Sequence, residues 1–405
     1  MRSEQIYKRK KCLLQTKVRI SKGISEMPKV LFISNMSYRI TAFATASIAA
    51  AHALGLEFYH ASNWHYAKQG QIEEDERSFD LKISDVDIAR SPFAFRKNYL
   101  AYKQIVKIIR ENNIDYIHCN TPVGGILGRL AGKKCKVKKV IYQVHGFHFY
   151  KGAPKKNWLL YYPVEKWLAR YTDALITINK EDFEFAKKKI KLRGDGEIYY
   201  VPGVGIDTAQ YSAEKSHRES KRAELGIPND AFLLISAGEL NANKNNGVII
   251  SAMERLGRSD IHYVLCGVGE LEEQLKTQAE AAGLSKNVHF LGYRNDIREL
   301  YSAADCFVMP SYREGLSRSI MEAMSSGLPC IVSKIRGNVD LVKEGKGGYL
   351  CNLADVEAYA EAIKNLVDNP TVKEAMSSFN LEKVKEFDSS IVTDEMKKIY
   401  SDTFK

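Results

Sequence analysis

Ser311-Tyr-Arg-Glu-Gly-Leu-Ser-Arg-Ser-Ile-Met-Glu-Ala-Met-Ser-Ser-Gly-Leu-Pro329 decides how this chain is read. Just before it, Asp305-Cys-Phe-Val-Met-Pro310 has the pattern of a short buried strand ended by proline. The quoted stretch then supplies a glycine-bearing turn at Glu314-Gly315, a helix start at Ser317 and a second carboxylate, Glu322, further along that helix. A strand running through such a turn into a helix N-terminus binds anions, because free backbone N–H groups and the helix dipole point into the loop. The two carboxylates are poor phosphate ligands and suit hydroxyl groups or a developing positive charge. A site that takes phosphate and hydroxyls together points to a nucleotide-sugar.

Outward from this segment, apolar β-type runs alternate with helical patterns, the signature of parallel α/β sheets. Val30–Ser34, Tyr116–Cys119, Val140–Val144 and Ala174–Ile178 are expected strands of a first domain. Ile40–Leu56, Tyr99–Glu111, Gly124–Ala131 and Tyr161–Tyr171 are the helices between them. A second series follows Val201-Pro-Gly-Val-Gly-Ile-Asp207, with strands at Phe232–Ser236, His262–Cys266, Val288–Phe290, Cys306–Met309 and Cys330–Val332. Its helices are Gly247–Leu256, Leu271–Ala282, Ile297–Ala304 and Ser319–Ser326, and the polar residues 208–228 read as a connection. The expectation is two doubly wound, Rossmann-like domains facing each other across a cleft.

Composition agrees with a soluble globular protein of about two domains: 405 residues, 45% hydrophobic and 27% charged. Seven scattered cysteines without a C-x-x-C pair fit a reducing cytosol better than a disulfide framework or zinc ribbon. The net charge of +11 favours anionic partners. Part of it is local: nine Lys and Arg crowd the first thirty residues against Glu4 and Glu26, without the apolar stretch of a secretory signal. That segment is expected to be a disordered basic extension ahead of a domain starting at Met27-Pro-Lys-Val-Leu-Phe-Ile-Ser34. No stretch is long and apolar enough to span a bilayer. The basic residues sit on no recognisable reading motif, so nucleic acid is not an expected partner.

Three further stretches carry chemistry. Ser236-Ala-Gly-Glu-Leu-Asn-Ala-Asn-Lys-Asn-Asn246 follows a strand and places Lys244 in a Gly/Asn-rich loop containing Gly238, where a point charge can neutralise a diphosphate. Tyr142-Gln-Val-His-Gly-Phe-His-Phe-Tyr150 puts His145 at the carboxyl end of a first-domain strand, where open α/β sheets bind ligands. His145 and His148 lack an evident third partner for a metal, so no metal site is expected. Tyr150 to Trp167 interleaves lysines with aromatics, which suits an anionic interface or a lipid-linked diphosphate and equally suits a helix packing on the sheet. Gly267-Val-Gly269 lacks the third glycine and acid of a dinucleotide fingerprint.

From about Pro28 onward the residues resemble the retaining GT-B glycosyltransferases of family 4. Glu314 and Glu322, with seven residues between them, match the family's glutamate motif, followed by Gly327-Leu-Pro329 and Arg336-Gly-Asn-Val-Asp340 at its small-residue turns. Thr121-Pro-Val-Gly-Gly125 and the segment from His145 to Pro163 resemble bacterial exopolysaccharide and capsule enzymes. The resemblance implies His145, Lys244 and Glu314 as catalytic residues. It implies Gly238, Tyr293, Arg294, Gly315, Leu316, Ser317 and Glu322 on the donor, with the 315–317 amides at the phosphates and Glu322 at the ribose. It also implies residues 28–205 as the acceptor-side domain, 206–385 as the nucleotide-sugar domain, and 386–405 as a helix returning to the first domain, with 1–27 the extension.

The implied reaction moves a hexosyl, or N-acetylhexosaminyl, residue from a nucleotide diphosphate sugar, UDP-linked, to a lipid-linked oligosaccharide, with no cofactor. The place implied is the cytoplasmic face of an anionic membrane, held peripherally. A nucleotide-sugar epimerase or phosphorylase and a non-catalytic nucleotide- or membrane-binding partner are the alternatives. Two departures stand out. Glu239-Leu240 replaces the family's Arg-Leu, leaving Arg294, Arg318 or Lys334 to compensate, and Asn35-Met-Ser-Tyr-Arg-Ile-Thr41 lacks the common glycine pair.

Overall fold

A computed structural model describes residues 27–211 and 217–404. The basic segment through residue 26, with Cys12, therefore lies outside the described residues. The first sheet has seven strands: β1 (Lys29–Met36), β2 (Glu57–Asn63), β3 (Lys82–Asp85), β4 (Tyr116–Asn120), β5 (Lys139–Val144), β6 (Ala174–Thr177) and β7 (Glu197–Tyr200). Their order is β3-β2-β1-β4-β5-β6-β7, and every pair is parallel. The second has β8 (Phe232–Ala237), β9 (Ile261–Cys266), β10 (Val288–Phe290), β11 (Cys306–Met309), β12 (Cys330–Ser333) and β13 (Gly348–Cys351). Its order is β10-β9-β8-β11-β12-β13, again all parallel.

Parallel sheets need cover on both faces, which is why their central strands read as unbroken apolar runs. Alternate residues of β1 serve different cores. Leu31 and Ile33 pack with the helices Phe95–Glu111 and Pro122–Cys135, whereas Val30 and Phe32 pack with Ala42–Ala53 and the C-terminal helix Ser389–Thr403. The second sheet is likewise sandwiched between two clusters. The six described cysteines are free thiols, five of them buried.

The chain crosses between the sheets twice, side by side. Ile206 N donates to Phe387 O (3.1 Å) and Ser389 N to Ile206 O (2.8 Å), while Thr208 Oγ1 donates to Asp388 Oδ2 (2.7 Å). Burial raises the pKa of Asp388, but hydrogen bonds from Ser390 and Thr208 outweigh it and bring the value down to about 2. The last helix then lies against Ala42–Ala53, with Tyr400 OH 2.8 Å and Ser47 Oγ 3.3 Å from His118 Nδ1.

Two expectations need correction. Residues 208–228 are more than a connection: Arg218–Leu225 is a helix, and its Arg222 is buried with Asp305 Oδ2 2.6 Å from Nη2. The helix expected at Tyr161–Tyr171 runs instead from Lys155 to Leu168, with Pro163 inside it. Trp158, Tyr161 and Tyr162 pack on the first core, whereas Leu159, Leu160, Val164 and Trp167 are exposed.

Candidate active site

In each sheet the strand order reverses once, between β1 and β4 and between β8 and β11. Ligands of open α/β sheets bind at the carboxyl ends of strands beside such reversals. The loops named from sequence lie there: the one carrying Lys244 follows β8, the one carrying Glu314 follows β11, and His145 follows β5. The fold brings these three loops together.

The two second-domain loops are stitched by backbone and amide bonds. Tyr312 N donates to Asn243 O (2.8 Å) and Asn243 Nδ2 to Arg313 O (3.0 Å). That frame holds Lys244 Nζ 2.8 Å from Glu314 Oε1, both side chains largely buried. Gly238, at φ +154°, lets the Lys244 stem lie close, since a β-carbon there would come within 3.3 Å of Lys244 Cε.

Gly315 touches the first domain. A β-carbon at this position would lie 2.3 Å from the His145 carbonyl oxygen, and one at Gly337 would lie 2.2 Å from Gly315 O. Leu316 turns its side chain into the second core. Ser317 Oγ caps the helix Arg318–Ser325 by accepting from Ile320 N (3.4 Å), which leaves this helix start as an N–H-rich end. Glu322 is 12% exposed and accepts from Tyr211 OH (3.0 Å) and Arg318 Nε (2.9 Å). Burial raises its pKa against the pull of Arg318 and Tyr211.

On the opposing wall, His145 Nε2 donates to Asn120 Oδ1 (3.0 Å), and Phe43 meets the imidazole edge-on at 5.1 Å between centroids. Burial lowers the pKa of His145 to about 4, so the ring is neutral near pH 7. Asn120 Nδ2 is buried without a partner. Thr121 next to it has φ +64°, a strained conformation for a β-branched residue. Its Oγ1 donates to Asn35 Oδ1 (2.7 Å), which also accepts from Gly124 N (2.8 Å). The loop after β1 that lacks the glycine pair is thus tied to the loop after β4.

Other named residues stand apart. Tyr293 is 76% exposed. The Arg294 fork is held by Asp296 and Glu224 Oε1 (2.7 Å), and Arg318 is paired with Glu322, while Lys334 and Glu239 are exposed. Sequence reasoning missed Asn120 and Arg336. Arg336 reaches from the second domain into the first, where its Nη1 donates to Asp182 Oδ1 (2.8 Å) and Phe147 O (3.0 Å) with the guanidinium over the Tyr150 ring. Its signal was an arginine beside a glycine in a turn just after a strand. Among the described residues, no three His, Cys, Asp or Glu side chains group to hold a metal ion.

Two parallel-sheet α/β domains meet at a cleft where the Lys244–Glu314 pair and the Gly315 turn lie opposite His145, the architecture of the GT-B class. Comparison with known proteins takes this further. Residues 217–382 match the model of the glycosyl transferases group 1, and residues 65–179 that of the glycosyl transferase 4-like domain. EpsD of Bacillus subtilis (strain 168), which carries the name of a glycosyltransferase, is 36% identical over 92% of this chain and 96% of its own. The UDP-Gal:alpha-D-GlcNAc-diphosphoundecaprenol alpha-1,3-galactosyltransferase of Escherichia coli is 31% identical over 74% of this chain and 78% of its own. The solved structure of Anabaena HepE superposes with a TM-score of 0.75 at 20% identity, over 92% of this chain and all of that one. The chain belongs to the family 4-type, group 1 glycosyltransferases and has their GT-B fold.

Proposed function

We propose that this glycosyltransferase moves a hexosyl or N-acetylhexosaminyl residue from a UDP-sugar to a polyprenyl-diphosphate-linked oligosaccharide, with retention of configuration, in exopolysaccharide or capsule assembly. The observation that carries the reading is the Lys244–Glu314 pair beside the Gly315–Ser317 turn, facing neutral His145 across the cleft. Lys244 and the backbone amides of 315–317 neutralise the departing nucleoside diphosphate as the bond from the anomeric carbon to its phosphate oxygen breaks. The acceptor hydroxyl attacks that carbon from the same face and passes its proton to the leaving phosphate oxygen. Glu314 and His145 orient the sugar, and Glu322 takes the ribose hydroxyls.

The likeness to the E. coli galactosyltransferase, whose name gives a UDP-sugar donor, a diphosphoundecaprenol acceptor and an alpha linkage, supports the donor and acceptor classes. The likeness to EpsD supports an exopolysaccharide setting. Among the described residues no helix is long and apolar enough to cross a membrane, so work on a lipid-linked acceptor at the cytoplasmic membrane face would be peripheral. We read the chemistry as needing neither cofactor nor protein-bound metal.

The test is a panel of UDP-sugars incubated with and without a lipid-diphosphate sugar acceptor, with products identified by mass and anomeric NMR. Acceptor-dependent glycoside with the donor's configuration is expected. Interconversion of free donor sugars without acceptor would replace this reading with an epimerase, and inertness across the panel would leave a nucleotide- or membrane-binding partner.

A further inference from the structure

A large apolar concavity of the first domain opens beside Gly146, which lies against Gly315 in the cleft. A cavity of about 1040 Å³ begins at Thr121, His145 and Gly146 and runs between the helices Phe95–Glu111, Pro122–Cys135 and Lys155–Leu168. It ends at Lys133 and Lys134. At 1.5 Å rise per residue, the stretch of helix from Pro122 to Lys133 gives it a length of roughly 17 Å.

Its walls are mostly hydrocarbon and aromatic, and much of this apolar surface is open to solvent: Phe95 is 74% and Leu160 45% exposed, with Phe93, Tyr99 and Val164 beside them. Lone exposed apolar residues need no explanation, whereas a contiguous apolar groove rimmed by charge marks a binding site. Two polar groups of the wall, Asn98 and Glu165, are already partnered from within. Asn98 Oδ1 accepts from Ala89 N and its Nδ2 donates to Ser91 O (3.1 and 2.9 Å), and Glu165 is held by Arg129 (2.8 Å) and Tyr142 OH (3.1 Å). The mostly apolar wall offers few partners to the backbone N–H and C=O groups of a peptide and suits a hydrocarbon ligand.

The surroundings of the groove are basic. The helix Phe95–Glu111 carries Arg96, Lys97, Lys103, Lys107 and Arg110 against Glu111, and the groove ends at two more lysines. Cations spread along this helix and at Lys133 and Lys134 suit an anionic lipid surface, while the groove also opens at the cleft beside His145.

We propose that this groove holds the first isoprene units of a polyprenyl-diphosphate-linked acceptor, its sugar end at His145 and its chain leaving past Lys133 and Lys134 toward the membrane. The proposal rests on the reading of the acceptor as lipid-linked and adds where the lipid lies.

The experiment compares acceptors bearing one sugar diphosphate on ethyl, geranyl, farnesyl, geranylgeranyl and undecaprenyl chains, with wild-type enzyme in mixed micelles. KM is expected to fall with each added isoprene unit until the groove is filled, then level off. Leu160→Asp and Tyr99→Asp, both at exposed positions, are expected to raise KM for the undecaprenyl acceptor about ten-fold or more. Transfer to the ethyl acceptor and the thermal shift given by UDP stay at wild-type values, which also shows that the variants are folded. Equal KM for all chain lengths, or variants that affect long and ethyl acceptors alike, overturns the groove while leaving the lipid-linked reading intact. Turnover of the ethyl acceptor with none of any prenyl acceptor overturns both. Loss of binding by the variants to phosphatidylglycerol vesicles lacking any polyprenyl lipid, by the same factor, makes the face a membrane-adhesion surface instead.

Discussion

Lys244 Nζ lies 2.8 Å from Glu314 Oε1, across the point where the second sheet reverses its strand order. The pair joins two loops seventy residues apart in sequence and leaves the lysine partly neutralised before a donor arrives. On the proposed reading, an incoming diphosphate shares the lysine with the carboxylate or displaces it. Lys244→Ala is expected to lower turnover by about a hundred-fold or more, the scale of removing one group that stabilises leaving charge. Glu314→Gln should separate binding from transfer: UDP binds several-fold tighter by calorimetry because Lys244 is freed, while turnover falls. Weaker UDP binding in Glu314→Gln would show that the carboxylate does not compete for the lysine.

At Gly315 the two domains meet with no room for a β-carbon beside the His145 carbonyl oxygen. Its φ is not in the left-handed region, so alanine costs the isolated loop little. Gly315→Ala is expected to wedge the cleft open and reduce transfer about a hundred-fold through misplacement of about an ångström, with UDP binding weakened far less. Small-angle scattering should show a larger radius of gyration than wild type; an unchanged radius with normal turnover would mean that the loops yield locally.

Legibility in the sequence followed locality. Val30–Ile33, Val140–Val144 and Cys306–Met309 are apolar runs whose burial on both faces shows in the residues alone. Strand β2 was missed because His60 and Ser62 interrupt it; both are buried, with His60 Nε2 and Ser62 Oγ 3.1 and 3.2 Å from Ser34 Oγ, a long-range match invisible in the segment. Strands β3, β7 and β13 sit at sheet edges, where short polar strands suffice. The candidate site divides in the same way. The 311–329 turn and the 236–246 loop announce themselves, but Asn120 gains meaning only from His145. Arg336 gains its meaning only from Asp182, 154 positions away.

That Arg336–Asp182 pair clamps the cleft from the far side of Gly315. Asp182 also accepts from Asn179 Nδ2 (2.8 Å) and Phe147 N (3.1 Å), and burial raises its pKa against the pull of Arg336. Arg336→Met leaves a buried carboxylate without its cation, at a cost of about 3–5 kcal/mol. Asp182→Asn in the same background should recover part of that loss, as measured by urea unfolding. Full additivity of the two changes would mean that the pair is not coupled.

Burial lowers the pKa of six histidines, His148, His262 and His289 among them, and makes the fold acid-sensitive. Burial lowers the pKa of His145 to about 4 and those of His60 and His118 to about 3, below the ordinary value of 6.5. The unfolded chain therefore binds more protons than the folded one between these values and about 6.5. Stability is complete above that range and is lost as pH falls through it. Glu322 and Asp182, raised by burial, act in the opposite sense at lower pH, so the histidines are best read between about pH 7 and 5. The unfolding midpoint in urea is expected to drop across that interval. His118→Gln should flatten the slope, while losing some stability at pH 7 through the contact with Tyr400. Transfer itself, with His145 neutral throughout, should show no inflection near pH 6.5. An inflection there that disappears in His145→Asn would mean that the ring titrates near its ordinary value and takes part in the chemistry as an acid or base.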